Sequence, residues 1–292
     1  MPEIVRTPRA LTIAGSDSGG GAGIQADLKA FARCGVHGMS AVTAITAQNT
    51  LGVCAVHAIP PAVILAQVRA VVGDIGVDAV KVGMLGTLDT VRAVARALDE
   101  LPEGTPVVVD PVMVAESGAQ LLDSDAQSAL VAEILPRATI LTPNLPEARA
   151  LARNGHGGAP GPVMDSGGGG ALEADALARA VLALGPDIVV LTGGHRDQAV
   201  DLFIDLSAPD RVVAIPGERH PDGAAHGSGC THSSALAAQL ALGREPLQAA
   251  FAARALAGVA VANGLRDLGG GPGPVDVIGL ARLRSGKDPA RV

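Results

Sequence analysis

The stretch HGSGCTHSSALAA at residues 226–238 combines a bendable loop, a nucleophilic side chain and a predicted helix. Gly227, Ser228 and Gly229 allow the backbone to turn, and the alanine- and leucine-rich residues after them predict a helix. A loop that leads into a helix N-terminus leaves N–H groups unpaired, and the helix dipole reinforces them, so this pattern predicts anion binding. Cys230 lies in the same field, which predicts a lowered thiol pKa and a role as a base or a nucleophile. The alternative is a glycine-rich turn with a small buried cysteine.

Two carboxylates follow predicted strands and are candidate metal ligands. Asp110 ends the strand-like TPVVVDPVM, and Glu147 follows a later strand within TPNLPE, where it would lie near a helix N-terminus. Mg²⁺ prefers one or two carboxylates together with water and substrate phosphates. Taken singly, Glu147 is also consistent with a helix-capping acid, and Asp110 with a strand-end turn.

A second glycine-rich segment, GSDSGGGAG at 15–23, follows a predicted strand and opens a helix. It departs from the dinucleotide-binding fingerprint because Ile24 occupies the position of the last glycine, and it lacks the Lys-Ser or Lys-Thr pair of a P-loop. The remaining interpretation is a loop whose backbone approaches a small ligand closely. A hydrolase is disfavoured because HGSGC lacks the GxSxG pattern, and we expect His226 and His232 to be ordinary, partly exposed side chains.

Short apolar runs alternate with amphipathic segments along most of the chain. Strands are predicted at 10–15, 40–48, 78–85, 105–113, 138–144 and 186–194, and helices at 24–35, 60–73 and 87–100. This alternation predicts an α/β fold with a mostly parallel sheet and helices on both faces. Candidate site residues follow the strand ends, at the edge where open α/β sheets bind ligands. They are Ser16, Asp17, Gln48, Met84, Asp110, Asn144 and Thr192.

Composition narrows the function classes. The 292 residues are 48% hydrophobic and 17% charged, which is enough apolar material for a substantial core. Aromatic residues make up only 1% and the net charge is −7, so broad nucleic-acid binding is disfavoured. Three scattered cysteines, no signal-peptide pattern and no long apolar segment lead us to expect a soluble cytoplasmic protein.

Two segments interrupt the alternation. Residues 154–173 are rich in glycine and proline, and they predict a mobile surface insertion without chemistry. Residues 199–217 alternate in polarity around an SAPD turn and predict a hairpin. Neither segment has the character of a domain boundary, so we expect residues 1–292 to form one domain.

Five blocks of the sequence carry a resemblance to a known family. They are AGSDSGGGAGIQADLKAFARCGVHGMSAVTAITAQNTLGV, DAVKVGML, VVVDPVMVAESGAQLL, LTPNLPEA and HGSGCTHSSALAA. In this order they closely resemble the bacterial hydroxymethylpyrimidine/phosphomethylpyrimidine kinases of thiamin biosynthesis, from about residue 10 to the GGGPGPVDV segment. The resemblance implies a three-layer ribokinase-like fold, with ATP and Mg²⁺ used to phosphorylate hydroxymethylpyrimidine and then its monophosphate. It also implies a homodimer.

The resemblance further implies roles for individual residues. Gln48 would hydrogen-bond the aminopyrimidine, in a pocket completed by Gly15, Asp27, Met84 and Val112. Cys230 would stand where sugar kinases of this fold carry an aspartate base, and would accept the proton of the attacking alcohol. Charge developing on the transferred phosphoryl group would be bound by Gly227, Ser228 and Gly229. The metal would be held by Asp110 and Glu147, and the nucleotide by Asn144, Glu147, Thr192 and Gly193.

One position departs from the family pattern. The family usually has a lysine in a KGGH element where this chain reads LTGGH, so Thr192 replaces a cation, with Arg196 nearby in sequence. Three functions therefore stay open: the pyrimidine kinase, a pyridoxal-type kinase on the same fold, and a non-catalytic pyrimidine sensor. Gln48 favours the aminopyrimidine because its amide pairs with adjacent donor and acceptor groups, and the retained Cys230 and carboxylates favour catalysis.

Overall fold

The computed structural model describes residues 6–114, 118, 120–155, 171–193, 199–221 and 223–284. In this part of the chain, nine strands form one sheet. They are β1 (Arg9–Asp17), β2 (His37–Asn49), β3 (Gly52–Ala58), β4 (Ala79–Val82), β5 (Val107–Val109), β6 (Ile140–Leu141), β7 (Ile188–Leu191), β8 (Val200–Asp205) and β9 (Val212–Pro216). Their order across the sheet is β3-β2-β1-β4-β5-β6-β7-β8-β9.

The strands in the middle of the sheet are parallel. Parallel pairing runs from β2 through β1, β4, β5 and β6 to β7, whereas β3 is antiparallel to β2 and the hairpin β8–β9 adds antiparallel strands beyond β7. The register aligns Ile13, Val82, Val109, Leu141 and Val189 side by side. The residues that follow these positions therefore emerge at one edge of the sheet, as a ligand site in this architecture requires.

Helices cover both faces of the sheet. They are α1 (Gly23–Arg33), α2 (Pro61–Asp74), α3 (Leu88–Asp99), α4 (Ser124–Ala129), α5 (Leu145–Gly155), α6 (Ala171–Leu182), α7 (Ser228–Ala241), α8 (Pro246–Ala262) and α9 (Leu280–Arg284). One core packs α2–α6 against the sheet and a second packs α1, α7 and α8 against the other face. In β5, Val107 and Val109 enter the first core while Val108 enters the second, as the two-residue period of a strand dictates. The predicted three-layer α/β fold with a mostly parallel sheet is confirmed.

Several predicted elements are confirmed with shifted ends. The helix predicted at 24–35 ends at Arg33, and Gly35 follows with φ +75°. The strand predicted at 105–113 is only Val107–Val109. The predicted hairpin is present as β8 and β9, but β3 was not predicted, because it is an edge strand whose residues from Cys54 to Ala58 are exposed and lack a buried apolar face.

Two further predictions concern the whole chain. Most of the glycine-rich segment 154–173 lies outside the described residues, so its predicted mobility stays a prediction. The single domain over residues 1–292 stays a prediction too. Within the ranges given above, none of the helices has the length and apolar character needed to cross a membrane.

Candidate active site

The two glycine-rich loops singled out in the sequence pack directly against each other. Gly227 is the N-cap of α7 with φ +81°, and a Cβ at this position would overlap the carbonyl oxygen of Gly21. A Cβ on Gly21 would in turn overlap the imidazole of His226. The glycines therefore let one backbone approach another, whereas the sequence suggested that they admit a ligand.

Asp17 organises the loop between β1 and α1. Its carboxylate accepts hydrogen bonds from the N–H groups of Gly19 at 2.8 Å, Gly21 at 3.0 Å and Ala22 at 2.8 Å. His226 Nε2 lies 3.3 Å from Asp17 Oδ2 and joins the two loops. Burial alone would raise the Asp17 pKa, but the hydrogen bonds from His226 and the loop N–H groups hold this pKa below its usual value. Asp17 is thus a structural carboxylate with its acceptor capacity largely used.

Helix α7 begins with N–H groups that face the site. Ser228 N donates to Ala225 O at 2.9 Å and Thr231 N donates to Gly227 O at 2.9 Å. The N–H groups of Gly229 and Cys230 donate to no backbone or side-chain acceptor in the described part of the chain. Because the Ser228 N–H is engaged, the donors left for an anion are those of Gly227 and Gly229 among the expected residues, together with that of Cys230.

Three side chains on one face of α7 approach the sheet. Cys230, Ser233 and Ser234 follow the i, i+3, i+4 spacing that places residues on the same face of a helix. Ser233 Oγ donates to Asp110 Oδ2 at 3.0 Å, and Ser234 Oγ donates to Asp27 Oδ1 at 2.6 Å. Cys230 is half-buried, and its sulfur accepts a hydrogen bond from the backbone N–H of Gly23. Sequence reasoning missed both serines, although their spacing from Cys230 was a readable signal.

A lysine that sequence reasoning missed lies beneath Cys230. Lys81, in the middle of β4, is 0% exposed, and its Nζ lies 3.0 and 3.2 Å from the two carboxylate oxygens of Asp27. Asp27 Oδ2 also accepts from Thr12 Oγ1 at 2.6 Å, and Lys81 Nζ is 3.8 Å from Asp110 Oδ2. The signal available in the sequence was a lysine inside the otherwise apolar DAVKVGML. We call the residues Thr12, Asp27, Lys81, Asp110, Ser233 and Ser234 the Lys81 cluster.

Asp27 is placed differently from the expectation that it contacts the substrate. Its side chain is 0% exposed and is enclosed by Thr12, Lys81 and Ser234. The carboxylate therefore lies under the pocket as the counter-ion of Lys81, and it reaches the site only through Lys81 and α7.

The electrostatics of the Lys81 cluster reverse one prediction. Burial alone would lower the Lys81 pKa, but the carboxylates of Asp27 and Asp110 and the hydrogen bond to Asp27 outweigh burial and raise it, so this lysine stays charged. Burial raises the pKa of the Cys230 thiol to about 12, with Lys81 opposing and the carboxylates of Asp110 and Asp27 adding to the rise. The predicted lowering of the Cys230 pKa is wrong, because burial and two carboxylates outweigh the helix N-terminus and Lys81.

Asp110 and Glu147 lie near each other at the sheet edge. Glu147 N donates to Asn144 Oδ1 at 2.9 Å and Asn144 N donates to Glu147 Oε2 at 2.9 Å, the reciprocal capping arrangement at the start of α5. Burial and the charge of Asp110 raise the pKa of Glu147 to about 8, and burial raises the pKa of Asp110 as well. Glu147 therefore caps helix α5, as the sequence allowed, and it is also a neighbour of Asp110.

This carboxylate pair has the chemistry of a magnesium site. Asp110 Oδ1 and Glu147 Oε1 accept no hydrogen bond from the described residues. Two neighbouring carboxylates whose pKa values are raised would be stabilised by a divalent cation. The described ranges contain no group of three or more His, Cys, Asp or Glu side chains that could hold a metal. The pair therefore suits Mg²⁺, which takes few protein carboxylates and completes its shell with phosphates and water.

The nucleotide-side residues are joined to the carboxylates through the backbone. Thr192 N donates to Pro143 O at 2.8 Å, and Asn144 and Thr192 form an isolated parallel bridge. Gly193 N donates to Asp201 Oδ1 at 2.7 Å, and a Cβ on Gly193 would overlap Val200. Thr192, Gly193 and Asn144 are thus brought together, while Arg196 lies outside the described residues.

The expected pyrimidine-side residues emerge from β1, β2, β4 and β5. A Cβ on Gly15 would lie 3.1 Å from Met84 Sδ, so these two positions are in contact. Thr46 Oγ1 donates to Ser16 O at 2.8 Å and also lies 3.0 Å from Gln48 Oε1, while Gln48 Nε2 makes no hydrogen bond within the described residues. Val112 follows β5, and its N–H donates to Asp110 O at 2.8 Å. These positions line the same sheet edge as Asp110.

Comparison with known proteins identifies the family. The chain matches the family model described as phosphomethylpyrimidine kinase over residues 17–276. A hydroxymethylpyrimidine/phosphomethylpyrimidine kinase of Rhizobium meliloti is 44% identical over 277 residues, which cover 92% of this chain and 96% of that protein.

Solved structures show the same fold. The structure of an ADP complex of Bacillus subtilis pyridoxal kinase has a TM-score of 0.80 and 35% identity, and covers 94% of this chain and 99% of that one. Phosphomethylpyrimidine kinase from Clostridium difficile has a TM-score of 0.69 and 37% identity, and covers 85% of this chain and 96% of that one. The resemblance noted in the sequence is thereby confirmed, and the chain belongs to the phosphomethylpyrimidine kinase family.

Proposed function

We propose that this chain transfers the γ-phosphoryl group of ATP to hydroxymethylpyrimidine and then to the resulting monophosphate. The observation that carries the proposal is the free N–H pair of Gly229 and Cys230, at the start of the α7 helix that Ser233 ties to Asp110. Phosphoryl transfer needs positioning and charge stabilisation more than covalent help, and this site offers both. The name of the Rhizobium relative and the ADP bound by the Bacillus relative support the same reaction.

In the first transfer, the alcohol of the substrate attacks the γ-phosphorus while the bond from that phosphorus to the β,γ-bridging oxygen breaks, and ADP leaves. In the second transfer, a phosphate oxygen of the monophosphate attacks the γ-phosphorus of another ATP in the same way. The N–H groups of Gly229 and Cys230 stabilise the charge on the transferred group. Cys230 accepts the proton of the alcohol. Because the thiol pKa is raised to about 12, Cys230 must first lose its own proton, so turnover rises with pH and the charge of Lys81 assists.

Asp110 and Glu147 are the residues that would hold Mg²⁺, which supplies positive charge against the phosphates when it is bound. On the nucleotide side, Asn144, Thr192 and Gly193 lie against the phosphates. Thr192 offers a hydroxyl where the family usually has a lysine. Because the N–H groups of Thr192 and Gly193 are engaged with Pro143 O and Asp201 Oδ1, the donors to the phosphates are this hydroxyl and the side-chain amide of Asn144.

Gln48 selects the aminopyrimidine. Its Oε1 lies 3.0 Å from the hydroxyl of Thr46, and its Nε2 is available to donate to a ring nitrogen. Gly15, Met84 and Val112 supply the apolar contact surface around the ring. Asp27 acts on this pocket indirectly, as the counter-ion of Lys81.

A pyridoxal kinase is the second candidate, because the Bacillus pyridoxal kinase has a TM-score of 0.80 against this chain. Both substrates are small heteroaromatic rings with a hydroxymethyl group, so one site can bind either. The 44% identity to the Rhizobium enzyme, over 92% of this chain, favours the pyrimidine.

The test is mass spectrometry of products after incubation of the protein with Mg-ATP and an equal mixture of hydroxymethylpyrimidine and pyridoxal. We expect pyrimidine monophosphate first and diphosphate later. Pyridoxal phosphate as the sole product would establish the second candidate. Binding of the pyrimidine with no product from either ring would overturn the kinase proposal and make the protein a sensor that lost turnover with the lysine.

Two properties of the whole protein complete the proposal. We propose a cytosolic homodimer, which the family resemblance and the scattered free cysteines support. Light scattering after size-exclusion chromatography measures the assembly, and a mass of one chain at micromolar concentration would contradict the dimer.

A further inference from the structure

A second group of buried charges lies outside the site described above. It consists of Asp201 at the start of β8, His232 on α7 and Arg254 on α8, and we call these three residues the Asp201 cluster. The side chains of Asp201 and His232 are 1% and 6% exposed, and that of Arg254 is 15% exposed. Buried charged groups are costly unless paired, so their convergence from three elements calls for an explanation.

The two carboxylate oxygens of Asp201 contact different parts of the chain. Oδ1 accepts the N–H of Gly193 at 2.7 Å, while Oδ2 lies 3.5 Å from His232 Nε2 and 3.6 Å from Arg254 Nε. These last two distances exceed hydrogen-bond length. Asp201 Oδ2, Arg254 Nε and both His232 ring nitrogens are buried without a hydrogen bond to any described residue. The strong contact of Asp201 is therefore the one to Gly193.

The cluster holds both ends of the connection between β7 and β8. Asp201 binds Gly193 at one end, and Arg254 Nη2 donates to Ala199 O at 2.8 Å at the other. A Cβ on Gly193 would overlap Val200, and a Cβ on Gly217 would overlap the guanidinium of Arg254, so the backbone closes tightly around these contacts. The two ends of this connection are thus fixed by the side chains of Asp201 and Arg254.

The same cluster touches the helix that carries Cys230. His232 lies two residues further along α7, about 200° around the helix axis, and points away from the Lys81 cluster. Burial lowers the His232 pKa, so the ring is neutral and Asp201 is left as the counter-ion of Arg254. The earlier expectation that His232 is a partly exposed side chain is wrong, because it is packed between α7 and β8.

We propose that Asp201 is a positioning residue for the nucleotide: it fixes the backbone at Gly193, where the proposed kinase binds the phosphates, while Arg254 fixes Ala199 at the other end of the same connection. This inference rests on the proposed function, because the nucleotide role of Gly193 comes from it. In a chain with Thr192 in place of the usual lysine, a hydroxyl replaces a long charged side chain, so nucleotide affinity depends on the exact position of the backbone that carries Thr192 and Gly193.

The test measures nucleotide binding without turnover. Titration calorimetry gives the Kd of the non-hydrolysable analogue AMP-PNP with Mg²⁺, and separately the Kd of hydroxymethylpyrimidine. We expect Asp201→Asn and Arg254→Gln each to weaken AMP-PNP binding about tenfold while pyrimidine binding stays within about twofold. Asp201→Asn weakens the acceptor of the Gly193 N–H and removes the counter-ion of Arg254, and Arg254→Gln removes the donor to Ala199 O. Arg254→Lys retains the charge and should fall between Arg254→Gln and the unaltered protein.

Asp78→Asn is the matched control. Asp78 accepts two hydrogen bonds of 3.0 and 2.8 Å from the guanidinium of Arg9 and one of 2.9 Å from its backbone N–H, at the opposite edge of the sheet. Asp78→Asn should lower the melting temperature and leave the Kd values for AMP-PNP and for hydroxymethylpyrimidine unchanged. If Asp201→Asn does not fold, Arg254→Gln and Arg254→Lys still decide the question.

Unchanged AMP-PNP affinity in the folded variants, with only a lower melting temperature, would overturn the proposal and leave Asp201 a purely structural residue. An unaltered protein that binds no AMP-PNP would overturn it too. If the unaltered protein binds AMP-PNP but forms no phosphorylated product, the kinase proposal fails, and a tenfold loss of affinity in Asp201→Asn still establishes the positioning role.

Discussion

Helix α7 separates two buried groups of charges that are built very differently. In the Lys81 cluster, Asp27 accepts hydrogen bonds of 3.0 and 3.2 Å from Lys81 and of 2.6 Å from both Thr12 and Ser234. In the Asp201 cluster, the charged atoms approach only to 3.5 and 3.6 Å, and four buried polar atoms make no hydrogen bond to a described residue.

This difference corresponds to what each cluster holds in place. The Lys81 cluster joins β1, β4, α1 and α7, whose relative positions set where Cys230 meets the substrate. A fully hydrogen-bonded network of this kind is rigid, and breaking it is costly. The Asp201 cluster holds the ends of one connection, for which a single strong contact suffices. The position of Cys230 therefore depends on a network in which the buried groups are hydrogen-bonded. The position of Gly193 depends on one carboxylate, that of Asp201.

The largest expected effect is on the turnover number, when the side chain of Cys230 above the Lys81 cluster is removed. Cys230→Ala should lower kcat by about 10²–10⁴-fold, the usual contribution of a general base, with pyrimidine Kd unchanged. Because the thiol pKa is raised to about 12, the thiolate fraction grows with pH, so kcat of the unaltered protein should rise across pH 7–9.

Cys230→Asp is the informative companion variant. In the same surroundings a carboxylate loses its proton at a lower pH than a thiol, so the rise in its pH profile should begin at a lower pH. A profile that is flat in the unaltered protein, or unchanged turnover in Cys230→Ala, would remove Cys230 as the proton acceptor.

The next largest effect is on stability. Lys81→Met should lower the free energy of unfolding by about 3–5 kcal/mol, because it leaves the buried carboxylate of Asp27 without its counter-ion. Urea denaturation measures the loss. Adding Asp27→Asn in the same chain should recover much of it, since the uncompensated charge is then gone. A loss below about 1 kcal/mol in Lys81→Met would show that the pair is not coupled as its distances suggest.

A smaller loss is expected when one hydrogen bond of the same cluster is removed. Ser234→Ala should cost about 1–3 kcal/mol, because Asp27 loses a charged hydrogen bond of 2.6 Å. Ser207→Ala, at an exposed position of the β8–β9 turn, serves as the control and should change stability by less than about 0.5 kcal/mol. Equal losses of stability in Ser234→Ala and Ser207→Ala would contradict the prediction that the hydrogen bond from Ser234 to Asp27 stabilises the protein.

The smallest effect is expected in the Asp201 cluster. His232→Leu replaces a neutral ring whose two buried nitrogens lack hydrogen bonds with an apolar side chain of similar size. Its free energy of unfolding should stay within about 1 kcal/mol of the unaltered value, or rise. Thermal and urea denaturation check this, and a loss above about 3 kcal/mol would mean that His232 makes a strong contact that its 3.5 Å distance to Asp201 does not reveal.

Local patterns predicted the layers and much of the site. Apolar runs with a two-residue or helical period located most strands and helices, and the residues after β5 and β6 identified Asp110 and Glu147 at the ligand-binding edge. The reciprocal bonds of Asn144 and Glu147 span only three residues, so such a contact is readable in a sequence.

The pairings inside the clusters could not be predicted in the same way. Lys81 and Asp27 are 54 residues apart, and Ser234 and Asp27 are 207 residues apart, so neither pair has a local signature. The sign of the Cys230 pKa shift failed for the same reason. The helix N-terminus was visible in the sequence, whereas the burial and the two carboxylates that outweigh it arise only in the folded chain.

Steady-state kinetics with varied ATP, measured side by side on Ser234→Ala and Asp201→Asn, test the division between the two clusters most directly. Ser234→Ala should lower kcat by about fivefold or more with the KM for ATP nearly unchanged, because it disturbs the placement of Cys230. Asp201→Asn should raise the KM for ATP about tenfold with kcat nearly unchanged. If both variants changed the same constant, the two clusters would not divide the reacting end from the nucleotide end, and the account would be contradicted.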